Sequence, residues 1–173
     1  MKKGFLKLED VQAGARVFVD STIFIYHFTG SSLECKRFLS RCERGDLKAI
    51  SAVIVLAEVA HRMMMLEAVN GGWIRGSNPA RKLRERPDLI KRLQTYQQQI
   101  DQIPLMGIEI LPLDLKTFLE ASVLRRKYGF LTYDSLVAAT ALEQEVDAIA
   151  SGDSDFQRLE EVPVFHPHDL RFA

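Results

Sequence analysis

Short runs of β-branched and aromatic residues alternate along this chain with longer stretches of helical periodicity, and that alternation leaves few folds open. Arg16–Val19 reads as a buried strand ending at Asp20, and Ser21–Thr29 follows as a short helical segment before the Gly30-Ser31-Ser32 break. Leu33–Arg44 is a helix stopped by Gly45, and Lys48–Ser51 is a second strand. Ala52–Leu66 is a strongly apolar helix that Ser51 is placed to cap, with Asn70-Gly71-Gly72 breaking the chain beyond it. Pro79–Gln102 is a polar, basic helical region interrupted near Pro87. Ile108–Leu111 is a strand, Leu115–Tyr128 an amphipathic helix with Gly129 beyond its end, and Tyr133–Gln144 another apolar helix. Asp147–Ser151 is a strand followed by a turn of helix from Asp155, and Val162–Phe165 a last edge strand. Residues 1–15 are an irregular lead-in with one strand-like piece. The pattern predicts an α/β fold, a three-layer α/β/α sandwich around a mostly parallel sheet. The 173 residues suggest one domain.

Charge excludes a globally basic nucleic-acid binder. Lys+Arg and Asp+Glu both number 23, so any such surface must be a local patch. No apolar stretch approaches the roughly 20 residues of a membrane span, and Met1-Lys2-Lys3 is not followed by a secretory-type apolar run. The expected location is therefore the cytoplasm. Cys35 and Cys42 stand seven positions apart on one helix, too far for a disulfide, and read as reduced packing residues.

Four acids stand where the pattern least wants a charge. Asp20 ends the first buried strand, and Asp153 lies just past Ala148-Ile149-Ala150; both can occupy the carboxyl edge of a parallel sheet, where ligands bind. Asp134 opens an apolar helix, where the helix dipole favours an anion. Glu58 interrupts a run, Ala52–Ala60, that is otherwise apolar throughout, an expensive place for an unpaired carboxylate. Taken singly, Asp134 is an ordinary N-cap, Asp20 and Asp153 are turn or cap residues, and Glu58 could pair with His61 or Arg62. Taken together, the four favour a divalent-cation site. All-oxygen donors point to Mg²⁺ or Mn²⁺, one or two ions, rather than zinc. His166-Pro167-His168 reads as a solvated tail feature, and Met63-Met64-Met65 as helix packing.

At these residues the chain resembles the PIN-domain family of nucleases, from Val17 to about Phe165. Val19-Asp20-Ser21-Thr22 followed by Ile23-Phe24-Ile25-Tyr26 looks like the family's first motif, with Thr22 supporting the metal-binding Asp20. Ser51–Ala60 resembles the second, carrying Glu58; Leu131-Thr132-Tyr133-Asp134 with Leu136–Leu142 resembles the third. Ala150-Ser151-Gly152-Asp153-Ser154-Asp155-Phe156 is similar to the fourth, with Ser151 at a hydroxyl position and Asp155 either a fifth ligand or a cap. All four in order are specific, and the likeness is strongest to VapC-type toxin ribonucleases partnered with small antitoxins. Residues 67–105 are longer than the corresponding link in the shortest members and form a helical insert.

The resemblance implies a metal-dependent endoribonuclease that hydrolyses RNA phosphodiesters. It also implies an antitoxin that blocks the active site, and a homodimer. Asp20, Asp134 and Asp153 are expected to be direct ligands, with Glu58 on a second metal or orienting the attacking water. Arg81, Lys82 and Arg84, with Arg75, Arg86, Lys91 and Arg92 in the same insert, offer a backbone-binding patch or a solvated helix face. Trp73 is a packing residue or a base-stacking one. The rival readings are a catalytically inactive PIN module serving as an RNA-binding or scaffold part, and a PIN nuclease that is not a toxin.

Overall fold

The computed structural model describes residues 6–170, and strands from both ends of that range join one sheet. In chain order the strands are β1 (Leu6–Lys7), β2 (Arg16–Val19), β3 (Lys48–Ala52), β4 (Ile108–Leu111), β5 (Ala148–Ala150) and β6 (Val164–His166). The helices are α1 (Ser21–Phe28), α2 (Leu33–Glu43), α3 (Val53–Asn70), α4 (Pro79–Arg84), α5 (Pro87–Ile90), α6 (Thr95–Gln102), α7 (Leu115–Tyr128) and α8 (Thr132–Glu143). The spatial order is β1-β6-β5-β2-β3-β4, and every neighbouring pair is parallel.

Parallel sheets need cover on both faces, which is why Val17, Phe18, Val19, Ile149 and Ala150 are wholly buried. From β2 the chain steps outward to β3 and then β4. It crosses back to β5 on the other flank of β2, and steps outward again to β6. Right-handed crossovers put the helices of the first two steps on one face and α7–α8 on the other, the expected three layers. The reversal of direction between β2 and β5 opens a crevice at their carboxyl ends. Asp20 and Asp153 follow those two strands.

Several sequence expectations change. The sequence predicts an edge strand over Val162–Phe165, but β6 pairs with both β5 and β1, so β1 forms the edge. That cover buries His166, which is therefore no solvated tail residue, whereas His168 is exposed. Ser51 does not cap α3: its hydroxyl donates to the Val19 carbonyl at 2.8 Å, tying β3 to β2, and Ala52 stands at the cap position. The region from Pro79 to Gln102 divides into α4, α5 and α6, because Pro87 lacks the N–H that a continuing helix needs. Residues 1–5 of the lead-in lie outside the described residues.

The insert is tied down rather than loose. Leu83, Leu89, Leu93 and Ile74 bury themselves against Ala68 of α3, with Met64 and Met65 packed alongside. The Glu67 carboxylate accepts the backbone N–H groups of Gln94, Thr95 and Tyr96, satisfying the start of α6. Gly107, before β4, sits at φ +72°, where an added Cβ would stand 2.6 Å from the Cys42 carbonyl oxygen. Cys35 and Cys42 are free and buried.

Candidate functional site

Asp20 is the N-cap of α1 and is 4% exposed. Its Oδ2 accepts the Thr22 hydroxyl at 2.8 Å, the Ser151 hydroxyl at 2.7 Å and the Thr22 N–H at 3.4 Å. The two hydroxyls are themselves oriented by the exit from β5. The Gly152 N–H donates to Thr22 Oγ1 at 2.7 Å and the Asp153 N–H to Ser151 Oγ at 3.0 Å. With those lone pairs occupied, both hydroxyl protons point to Asp20. Oδ2 is thus saturated, while Oδ1 has only the Ser21 hydroxyl at 3.5 Å among the described residues. Burial pushes the Asp20 carboxyl up, opposed by the Ser151 and Thr22 hydrogen bonds and by the N–H groups of Ser21 and Thr22.

Asp153 plays the same double part at the end of β5. It caps the short 3-10 turn Ser154–Arg158, its Oδ1 accepting the Asp155 N–H at 2.8 Å. Asp155 lies inside that turn rather than capping it, and its carboxylate pairs with Arg158 at 2.5 Å. Asp134 occupies the first turn of α8 without being its cap. Burial, then the charges of Asp153, Asp20, Asp155 and Glu58, raise its pKa to about 6. Glu58 is half-buried, and its pKa is raised first by burial and then by Asp20 and Asp153; a Ser21 hydrogen bond and Arg62 oppose the rise. Because Val53 and Ala57 are exposed, α3 is not buried around its whole circumference, and Glu58 is less costly there than its apolar run implied.

The charges of Asp20 and Asp153 therefore reach both Glu58 and Asp134, acids drawn from separate elements about the β2–β5 crevice. Their oxygen-only donor set and mutual repulsion fit a hard divalent cation. As the side chains stand, no three Asp, Glu, His or Cys groups among the described residues are drawn together tightly enough to chelate an ion.

The basic residues of the insert lie elsewhere. α4 packs against the last turns of α3, about 15 Å along that helix from Glu58. There Arg81 pairs with Glu85 at 3.1 Å, Lys82 donates to the Arg75 carbonyl at 2.5 Å, and Arg84 is exposed.

Four participants escaped the sequence reading. Ser21 bridges toward both Asp20 and Glu58, a role that needs α1 packed on α3. Gly152 must be glycine, since a Cβ there would stand 2.5 Å from the Tyr26 ring. Burial and the nearby Asp153 and Asp20 charges push the Tyr26 hydroxyl up. Arg158 holds Asp155 while donating to the carbonyls of Tyr128 and Gly129, so it joins the β5 exit to the turn before α8.

The family model described as PIN domain matches residues 17–162, the span that holds every one of these acids. The chain belongs to the PIN domain family. Ribonuclease VapC2 of Methanocaldococcus jannaschii is 26% identical over 159 residues, covering 90% of this PIN protein and 93% of its own length. Among solved structures, VapBC2 from Rickettsia felis bound to a promoter DNA fragment has a TM-score of 0.58 at 14% identity, covering 87% of this chain and 98% of that one. A toxin–antitoxin complex from Klebsiella pneumoniae has a TM-score of 0.55 at 18% identity, covering 89% and 99%. At such identities the structural likeness is one of fold. None of the described helices is long and apolar enough to cross a membrane.

Proposed function

We propose that this PIN protein is a metal-dependent endoribonuclease, the toxin of a toxin–antitoxin pair. The reading is supported by the charges of Asp20 and Asp153, which act on both Glu58 and Asp134 beside the strand-order reversal. Support for the substrate comes from its VapC2 relative, named a ribonuclease. Support for the partner comes from the Klebsiella pneumoniae fold-mate, solved as a toxin–antitoxin complex.

Asp20, Asp134 and Asp153 would hold one or two Mg²⁺ or Mn²⁺ ions, with Glu58 facing them; Asp155, tied to Arg158, stands behind. When bound, such an ion supplies positive charge to a phosphate oxygen and lowers the pKa of a water. The chain's own work is positional. Thr22 and Ser151 lock Asp20 Oδ2 and leave Oδ1 the less occupied oxygen, so the carboxylate is oriented before metal arrives. Glu58, whose carboxyl is pushed above the ordinary carboxylate range by burial and then by Asp20 and Asp153, is suited to accept a proton from the attacking water.

A second copy of the chain is the proposed partner of α7. Leu115, Phe118, Leu119 and Val123 recur there at helical spacing and stay exposed, Leu119 by 60%. Leu119→Glu should turn a dimer into a monomer in analytical ultracentrifugation.

Cleavage of a mixed RNA pool by wild type and Asp20→Asn, with Mn²⁺ and with EDTA, tests the activity. Cutting by wild type only, and only with metal, is expected. Equal cutting by both proteins would sink the site, and metal binding without RNA cutting by protein freed of any antitoxin would favour the inactive module.

A further inference from the structure

Arg62 follows Glu58 one turn later on α3, and the i+4 row then winds around the helix through Leu66 to Asn70. Arg62 is exposed, and no carboxylate among the described residues forms an ion pair with it. Its charge nonetheless acts on Glu58 and on Tyr26 of the neighbouring α1. An arginine so placed, in no close ion pair, is suited to a phosphate beside the carboxylate crevice.

Beyond Leu66 lies a groove of 470 Å³ between the C-terminal ends of α1 and α3 and the start of α6. Phe28, Met63, Leu66 and Trp73 line it with apolar residues, and Asn70 and Gln99 line it with amide-bearing ones. Trp73 is 41% exposed, with its indole laid over Gly71, where an added Cβ would stand 3.3 Å from ring carbons. The carboxylate in the lining, Glu67, is occupied by three N–H groups of α6 and is not directed at a passing phosphate chain. The segment after Trp73 carries exposed Arg75, Arg81 and Arg84. An open indole beside Asn70 and Gln99 matches what an unstacked nucleobase needs: a face to stack on and partners for its edge.

We infer that this groove is a nucleobase subsite for single-stranded RNA, reached from the carboxylate crevice by a backbone that passes over Arg62. About 12 Å of helix separates Glu58 from Leu66, a span of a few nucleotides. The inference rests on the ribonuclease reading and adds the place where base identity is read, by the amides of Asn70 and Gln99. It also assigns the basic insert a role remote from the metal ligands, in agreement with the position of α4.

Trp73 is the chain's one tryptophan, so its emission reports on this groove. Short 5′-labelled homopolymers of the four ribonucleotides are titrated into wild type in EDTA, following label anisotropy and tryptophan fluorescence together. Binding that quenches Trp73 is expected, with affinity falling about 5- to 150-fold in Trp73→Ala and largely restored in Trp73→Phe. The joint variant Asn70→Ala with Gln99→Ala should level the differences among homopolymers, and it serves where Trp73→Ala disturbs the fold. Binding with unchanged emission, or cleavage of the RNA pool without measurable homopolymer binding, overturns the subsite and leaves the nuclease standing. Absence of both binding and cleavage removes the nuclease reading and the subsite with it.

Discussion

Replacing Asp134 by Asn removes a carboxyl group whose surroundings resist its charge. Burial, followed by Asp153, Asp20, Asp155 and Glu58, moves its pKa from 3.8 to about 6. The folded protein therefore holds this proton more tightly than the unfolded chain does. Ionisation is thus a cost to stability that is absent below about pH 4, grows as pH rises, and is complete above about pH 6. At face value the rise corresponds to about 3 kcal/mol. Asp134 is only half-buried, and solvent screening reduces the figure to about 1 kcal/mol. In EDTA at neutral pH, Asp134→Asn should be the more stable protein by that amount, about 2–4 °C in melting temperature for a chain of this size. The advantage should vanish near pH 4. In Mn²⁺ the order should reverse, because wild type gains binding free energy that the variant largely forfeits. Thermal unfolding followed by circular dichroism across this pH range, with and without metal, measures all three. An Asn variant that melts below wild type at neutral pH in EDTA, or a difference that ignores pH, refutes the account of the repelling carboxylates.

Two further outcomes are expected. Ser151→Ala leaves Asp20 Oδ2 without its 2.7 Å donor and the Asp153 N–H without its acceptor, and should destabilise by about 1–3 kcal/mol while weakening Mn²⁺ binding in calorimetric titration. Unaltered metal affinity would show that Asp20 needs no such positioning. Gly107→Ala combines a left-handed backbone with a 2.6 Å approach to the Cys42 carbonyl, and should lower stability by at least about 1–3 kcal/mol in urea titration without touching metal affinity.

What was legible in the sequence depended on how local its cause was. β2, α7 and β4 were readable to the residue because β-branched runs, helical spacing and flanking turn residues are all contained within the element. The four acids were readable as misfits in apolar surroundings. The β1–β6 pairing was not, since it joins Leu6 to Phe165 across the whole chain and neither two- nor three-residue strand carries a periodicity of its own. Ser51 misled for a similar reason. A serine before a helix is a normal cap, but here the Val19 carbonyl beside it in space takes the hydroxyl. Ser21, Tyr26 and Arg158 act through contacts between elements, and nothing in their immediate neighbours announces that.

The persistence of a self-repelling cluster in a marginally stable protein has a local explanation. Asp20 caps α1, Asp153 caps the turn after β5, and Asp134 stands in the first turn of α8, so three of the four acids satisfy or complement helix starts. The backbone interactions offset part of the repulsion, and Asp20 allows the two contributions to be separated. Asp20→Asn keeps a side-chain oxygen for the cap but discards the charge; Asp20→Ala discards both. In EDTA, Asp20→Ala should be less stable than Asp20→Asn by about 1 kcal/mol, the worth of a cap. The comparison of Asp20→Asn with wild type then isolates the charge, and the burial that pushes the Asp20 carboxyl up argues that Asn is the more stable of those two. Equal stability of the Asn and Ala variants would mean that the carboxylate contributes nothing to α1. The reason for its place at the end of β2 would then have to be sought in the metal alone.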